Sequence, residues 1–281
     1  MPDLQHFILT RFNLRLWSQD KNGDPVRSRE WLENRFELFE KYCLPSVANQ
    51  SCKDFTWIIL LDSRTVEEFK KRIEDDRDRC PQIVPVYVEP AEGQNFAKIF
   101  QSSVVERLNG ERVITTYLDN DDALDVHFVE DLQKRAAVLT DSIFISYSSG
   151  FQYFTEFGLL MKIHYRRNHF ISVIESGNPE TVKTIYGYGS HYYIEKIPGV
   201  QIEYVNGYPS WCEVIHKRNM GNDAYFFWGT RMVQDNQTLI RDFAIDVVPQ
   251  HGFALYAFKF IPRYIKVFFR RVKYFFFGRR W

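Results

Sequence analysis

The sequence predicts an α/β protein built on a mostly parallel sheet flanked by helices, and three observations predict it. Short apolar, β-branched runs alternate with longer segments of helical period through the first half of the chain. Three carboxylates, Asp119, Asp121 and Asp122 in "TTYLDNDDAL", stand directly after one of those runs, and ligands of open α/β folds bind at the C-terminal edge of the strands. The 281 residues, 45% hydrophobic and 17% aromatic, suffice to bury a substantial core.

Strands are expected at His6–Phe12, Thr56–Asp62, Ile83–Val88, Arg112–Leu118 and Ser142–Tyr147, where β-branched and aromatic residues cluster between turn formers. Helices are expected between them at Arg29–Val47, Thr65–Asp78, Asn95–Leu108 and Asp125–Leu139. In the third, Phe96, Ile99, Phe100, Val104 and Leu108 recur at three- and four-residue steps, a stripe that faces the core. From about Gly150 the alternation gives way to aromatic, Gly/Pro-punctuated stretches such as "YGYGSHYY" and "EYVNGYPSW", which predict short strands and long loops over a cleft.

Net charge is zero, with 36 basic and 36 acidic residues, but the balance is uneven. No acidic residue follows Asp246, whereas Lys259, Arg263, Lys266, Arg270, Arg271, Lys273, Arg279 and Arg280 do; removing those eight leaves a body of charge −8. The four cysteines form no CxxC pair, which fits a reducing cytoplasm. The N-terminus lacks the apolar core of a signal peptide, and no apolar run is long enough to span a membrane. No P-loop or comparable glycine-rich phosphate loop is visible.

Three carboxylates crowded at a strand end repel one another and need neutralising. Along an extended chain Asp119 and Asp121 point to one side, where a hard cation such as Mn²⁺ or Mg²⁺ fits between their oxygens and the phosphates of a ligand. The alternative is a plain turn, which Asp and Asn favour, with Asp125 capping the following helix. A partner for the first reading is His216 in "YPSWCEVIHKRNMGN", a candidate nitrogen ligand for the same cation; the alternative for a single His is a structural hydrogen bond. Lys217 and Arg218 would then lie along the phosphates.

In order along the chain, "HFILTRFN", "REWLENRFELFEKYCLPSVANQ", "FTWIILLDS", "TTYLDNDDAL", "NHFISVIE" and "WCEVIHKRN" resemble the rhamnosyltransferase family of bacterial glycosyltransferases. The resemblance implies a GT-A-like, Rossmann-type fold, with residues 1–148 as the nucleotide-sugar-binding half, 149–255 as the acceptor-side half and 256–281 as a tail. It implies a metal-dependent transfer of a sugar, rhamnose among the candidates, from a nucleotide diphosphate donor to a glycan or lipid-linked acceptor of a bacterial surface polysaccharide. Asp119 and Asp121 would hold metal and sugar nucleotide, Asp122 would assist, and His216 would be the late ligand. Thr10, Arg11 and Asp62, at the ends of the first two strands, would line the nucleotide pocket. Lys217 stands where the family usually shows Gly directly after the His. An inverting transfer needs a carboxylate to take the acceptor proton; Glu175 is the first candidate, ahead of Glu213 and Asp223.

Projected as a helix, the segment from Pro262 places Tyr264, Ile265, Phe268, Phe269, Val272, Phe275 and Phe276 on one arc and Arg263, Lys266, Arg270 and Lys273 on the other. A basic face opposite a Phe-rich stripe describes an amphipathic helix lying in an anionic membrane interface, ahead of a helix docked on the body or a nucleic-acid arm. The expected location is therefore cytoplasmic and peripheral, on the inner face of the membrane. Two other readings of the chain remain: a nucleotidyl- or phosphoryl-transfer enzyme, and a non-catalytic membrane-binding scaffold.

Overall fold

The structure is a computed structural model that describes residues 4–16, 28–139, 142–216, 230–235 and 237–250, together with Ile261, Ile265, Phe268, Phe269 and Val272. Its elements are β1 (Leu4–Arg11), α1 (Arg29–Leu38), a π-helical turn (Phe39–Cys43), α2 (Leu44–Ala48), β2 (Thr56–Asp62), α3 (Glu67–Arg79), β3 (Ile83–Val88), α4 (Phe96–Val105), β4 (Arg112–Tyr117), β5 (Ala123–Leu124) and α5 (Phe128–Ala136). They continue with β6 (Ile143–Tyr147), β7 (Ser149–Phe154), β8 (Leu159–His164), β9 (Ile171–Ser176), α6 (Thr184–Gly187), β10 (Gln201–Val205), β11 (Trp211–Ile215), β12 (Arg231–Met232) and α7 (Thr238–Phe243).

Seven strands form the main sheet in the order β10-β6-β9-β4-β1-β2-β3. All neighbours are parallel except at β9, which runs antiparallel to both β4 and β6. Strand order turns back between β1 and β4, so a crevice opens at their C-terminal ends, the usual ligand position in such sheets. One face packs Ile8, Trp57, Ile59 and Ile114 against Phe36, Phe39, Phe69, Phe128 and Leu132 of α1, the π-turn, α3 and α5. The other face packs Phe7, Leu9, Ile58 and Val113 against Phe100 and Val104 of α4 and Ile185 of α6. The expected stripe of α4 is therefore core: Phe100 and Val104 are buried, with Phe96, Ile99 and Leu108 packed beside them.

The expected first helix is not one continuous α-helix. Its turn from Phe39 to Cys43 is π-helical, and the chain resumes as α2 with Pro45 in its first turn.

The second half is more regular than its composition suggests. Five strands form a second sheet in the order β12-β8-β7-β11-β5, parallel only between β7 and β11. Strands β9 and β10 meanwhile belong to the main sheet, so position 148 does not separate two structural layers. The short β5 follows the acidic loop immediately and pairs antiparallel with β11, Cys212 opposite Ala123 and Trp211 opposite Leu124. That pairing is what brings "DNDD" beside "WCEVIH".

Trp211 anchors this junction. Its indole N–H donates to the Tyr147 carbonyl (2.7 Å) and its ring stacks on Phe170 at 4.7 Å between centroids. The ring lies flat on the backbone of Gly150, where an added Cβ would fall inside it. Gly150→Ala therefore cannot be accommodated without moving the indole; unfolding in urea should show a loss of roughly 1–3 kcal/mol, the usual cost of overpacking. An unchanged midpoint would mean that the junction is loosely packed.

Candidate functional site

The site is assembled at the crevice between β1 and β4. Side-chain alternation on β1 sends Thr10 and Arg11 to opposite faces. Thr10 is buried and its hydroxyl accepts the Trp57 indole N–H at 2.9 Å, so it stabilises the core and does not line the crevice, a correction to the expectation from sequence. Arg11 turns the other way, into a cage of Phe96, Tyr117 and Tyr186 whose ring centroids lie 4.9, 5.6 and 5.2 Å from its guanidinium carbon. Cation–π attraction of this kind holds a guanidinium without neutralising it. From the cage Arg11 donates to the Tyr117 hydroxyl at 2.6 Å and lies 3.6 Å from Asp119. Asp62, at the end of β2, is buried; one oxygen takes the Arg15 Nε–H at 2.5 Å and the other the Arg64 backbone N–H at 2.8 Å.

The acidic segment is a turn, with Asn120 and Asp121 at its apex, and this overturns the prediction that Asp119 and Asp121 face the same way. Alternation holds only while the chain stays extended. In the turn, residues three apart converge, and one oxygen each of Asp119 and Asp122 lies with a ring nitrogen of His169 inside 4.8 Å of one another. Asp121 points elsewhere: its Oδ2 accepts from Arg35 Nη1 at 2.7 Å and lies 2.9 Å from His216 Nε2. His216 is thus joined to the acidic motif, but through Asp121 and outside the Asp119–Asp122–His169 cluster.

Each carboxylate has its own partner. Asp119 accepts the Tyr117 hydroxyl and faces Arg11. For Asp121, burial opposes ionisation, but Arg35 and His216 outweigh it and hold the carboxyl well below the usual range. Asp122 is fully buried and accepts the Val214 backbone N–H at 2.8 Å and His169 Nε2 at 2.8 Å. Burial alone would lower the His169 pKa; the hydrogen bond and charge of Asp122, with Asp119 and Glu213 behind, raise it to about 9. The proton of this pair belongs on the imidazole, because the Val214 N–H favours an ionised Asp122.

Two of these residues have no obvious mark in the sequence. Arg35 sits among Trp31, Leu32, Phe36 and Leu38 on the buried face of α1, and that position within an apolar stripe is its only signal. His169 leads into β9, and because β9 is antiparallel its first residues come to lie at the C-terminal end of β4. The signal was the segment "NHFISVIE"; the strand's direction is not readable from it.

Glu175 is displaced from the role expected of it. It pairs with Val113, near the start of β4 and at the opposite end of the sheet from Asp119. Its oxygens accept the backbone N–H groups of Lys183 and Thr184, both at 2.9 Å, and the Tyr188 hydroxyl at 3.0 Å. They thereby hold a backbone in which Thr184 has a φ of 64°. Lys217, Arg218 and Asp223 lie outside the described residues.

The donor set of the cluster, two carboxylate oxygens and an imidazole nitrogen, suits Mn²⁺ or Mg²⁺ completed by phosphate oxygens. Asp119, with a side chain 28% exposed, is its open side; Asp122 is closed off from solvent.

Replacing Arg35 by Met leaves Asp121 buried without its cation and should lower stability by roughly 3–5 kcal/mol, most of it restored in Arg35→Met/Asp121→Asn. Because the folded Asp121 pKa is depressed, the stabilisation is complete above about pH 4 and lost as pH falls toward the folded value. Urea titrations at pH 7 and in acid should show the gap between wild type and Arg35→Met narrowing; a constant gap would refute the ion pair's role.

Three solved structures are similar to this chain at low identity: S. aureus TarS 1-349, at 10% identity and a TM-score of 0.42, the same protein in complex with UDP, at 10% and 0.39, and the longer S. aureus TarS, at 9% and 0.37. Each match covers 75% of this chain; the chain spans 60% of the first structure and of the UDP complex, and 37% of the longer TarS. No curated protein matches the sequence. The sequence profile of the family described as "Putative rhamnosyl transferase" matches residues 20–225, a span that takes in Arg35, the acidic turn, His169 and His216, and the chain belongs to that family.

Proposed function

We propose that the protein is a metal-dependent glycosyltransferase that moves a sugar, rhamnose by its family, from a nucleotide diphosphate donor to a glycan or lipid-linked acceptor. The observation that carries this reading is the convergence of Asp119, Asp122 and His169 at the switch point of the main sheet, with the caged Arg11 alongside. A buried cluster of this kind costs folding energy, which favours a ligand-binding role over a surface turn. The reading of the chain as a non-catalytic scaffold has no such observation behind it.

In this reading Asp119, Asp122 and a neutral His169 would hold the cation, which would supply positive charge to the departing nucleoside diphosphate. Arg11, oriented by its cage, would lie along a phosphate. Lys217 and Arg218 follow His216 in sequence and are assigned to the same phosphates. Asp62, with Arg15 and Arg64 against it, faces the nucleoside. Asp121, Arg35 and His216 form the rigid wall behind the turn. Inversion at the anomeric carbon calls for a carboxylate on the acceptor side, and Glu175 is too far along the sheet to serve.

A panel of UDP- and dTDP-linked sugars incubated with the protein and Mn²⁺ should release nucleoside diphosphate. Chelation should stop the release, and Asp122→Asn should lower it by about 100-fold or more while the protein stays folded. Release of nucleoside monophosphate or pyrophosphate alone would favour a nucleotidyltransferase.

The tail is assigned to the cytoplasmic surface of an anionic membrane, as suits an enzyme with a lipid-linked acceptor. Among its described residues Ile261, Ile265, Phe268 and Phe269 are helical and exposed, Phe268 and Phe269 at 61% and 64%. These four fall on one helical arc, and the tail's basic residues add about 1 kcal/mol each toward anionic lipid. No helix among the described residues is long and apolar enough to cross a membrane. Deleting residues 262–281 should release the protein from phosphatidylglycerol vesicles; unchanged co-sedimentation would remove the membrane assignment.

A further inference from the structure

Beside His169 the structure contains a recess lined by Tyr165, Asn168, His169, His191, Tyr192 and Glu213, together with Trp211 and Phe170. The centre of a water molecule can occupy about 10 Å³ of it, room for a single hydroxyl-sized group.

Two buried oxygens in this recess lack a partner. Glu213 is 2% exposed; its Oε2 accepts the Gln152 amide at 2.6 Å, and its Oε1 accepts nothing. Asn168 is 4% exposed; its amide N–H groups donate to the carbonyls of Tyr147 (2.9 Å) and Tyr165 (2.7 Å), and its Oδ1 is left over. Buried polar atoms are ordinarily satisfied, so two orphans on residues that line one small space mark a missing partner. Both are acceptors, so the partner must donate hydrogen bonds. The carboxylate repels an anion, and His169, neutral once it ligates a cation, offers no positive charge to offset that repulsion. A neutral, hydroxyl-bearing ligand remains.

We propose that this recess is the acceptor subsite: a sugar hydroxyl enters it and donates to Glu213 Oε1, with Asn168 Oδ1 beside it as the second acceptor open to that hydroxyl. The inference rests on the reading of the protein as a sugar transferase. Tyr192 stands at the mouth, 44% exposed, its ring 3.9 Å from that of His191, and offers an aromatic face on which the acceptor ring lies. His169 belongs both to the recess and to the acidic cluster, so the two lie next to each other. In the transfer, the acceptor oxygen forms a bond to the anomeric carbon as that carbon's bond to the phosphate oxygen breaks. The hydroxyl proton passes to Glu213 Oε1, and the nucleoside diphosphate leaves with the bonding electrons. Burial raises the Glu213 pKa, the direction a base needs to hold the proton it takes.

The test uses saturation-transfer NMR on the full chain loaded with UDP or dTDP and Mg²⁺, against a panel of methyl hexopyranosides and methyl 6-deoxyhexopyranosides. At least one glycoside should bind, and Tyr192→Ala should weaken it about tenfold or more. Glu213→Gln, nearly isosteric, should bind that glycoside and the nucleoside diphosphate within about threefold of wild type, yet transfer sugar to it at least about 100-fold more slowly. The proposal is overturned if no glycoside binds the nucleotide-loaded protein, if binding is indifferent to Tyr192→Ala, if Glu213→Gln loses nucleotide binding, or if it transfers at the wild-type rate. A wild-type protein that binds neither nucleoside diphosphate removes the sugar-transfer reading itself, and this subsite with it.

Discussion

Three aspartates within four positions cannot be folded into a protein interior unless positive charge arrives from elsewhere in the chain. That requirement organises the molecule. Arg11 comes from the end of β1, Arg35 from the buried face of α1, and His169 from the start of β9, a sequence span of nearly 160 residues. Each reaches the acidic turn only if its own element is correctly placed. The turn therefore reports on the whole main sheet, and its burial couples the two halves of the chain more firmly than their apolar contacts alone.

The same arrangement separates two kinds of carboxylate. Asp121 is committed to Arg35 and His216 and is well shielded, which makes it a structural anion. Asp119 and Asp122 converge on His169, and Asp119 keeps the cluster's open side. Chemical identity does not distinguish these residues; environment does. Two carboxylates expected to converge across one intervening residue, Asp119 and Asp121, give way, once the chain turns, to a pair across two, Asp119 and Asp122.

Much of the fold was legible in the sequence because buried parallel strands and amphipathic helices carry strong periodic signals. The strands at Thr56–Asp62 and Ile83–Val88 stand where the pattern put them. The second sheet was harder: β5 and β12 are two residues each, too short to show a period, and they are strands only because β11 and β8 offer them edges. At the site, Asp119 and Arg11 could be found because they end strands. Arg35 could not, since a charged residue in a helix ordinarily faces solvent. Glu175 misled for a related reason: it too ends a strand, but an antiparallel one, whose last residue lies at the wrong edge.

The hold on the acidic loop comes from one stretch of chain that spans α1, the π-helical turn and α2. Arg35 takes Asp121, Cys43 donates to the Asp119 carbonyl, and Ser46 and Gln50 engage the backbone of Leu124, Asp125 and Val129. The loop is thus handed along this stretch from its first residue to its last, like a rope passed between successive hands, and a disturbance at any one of these four positions is transmitted to the carboxylates.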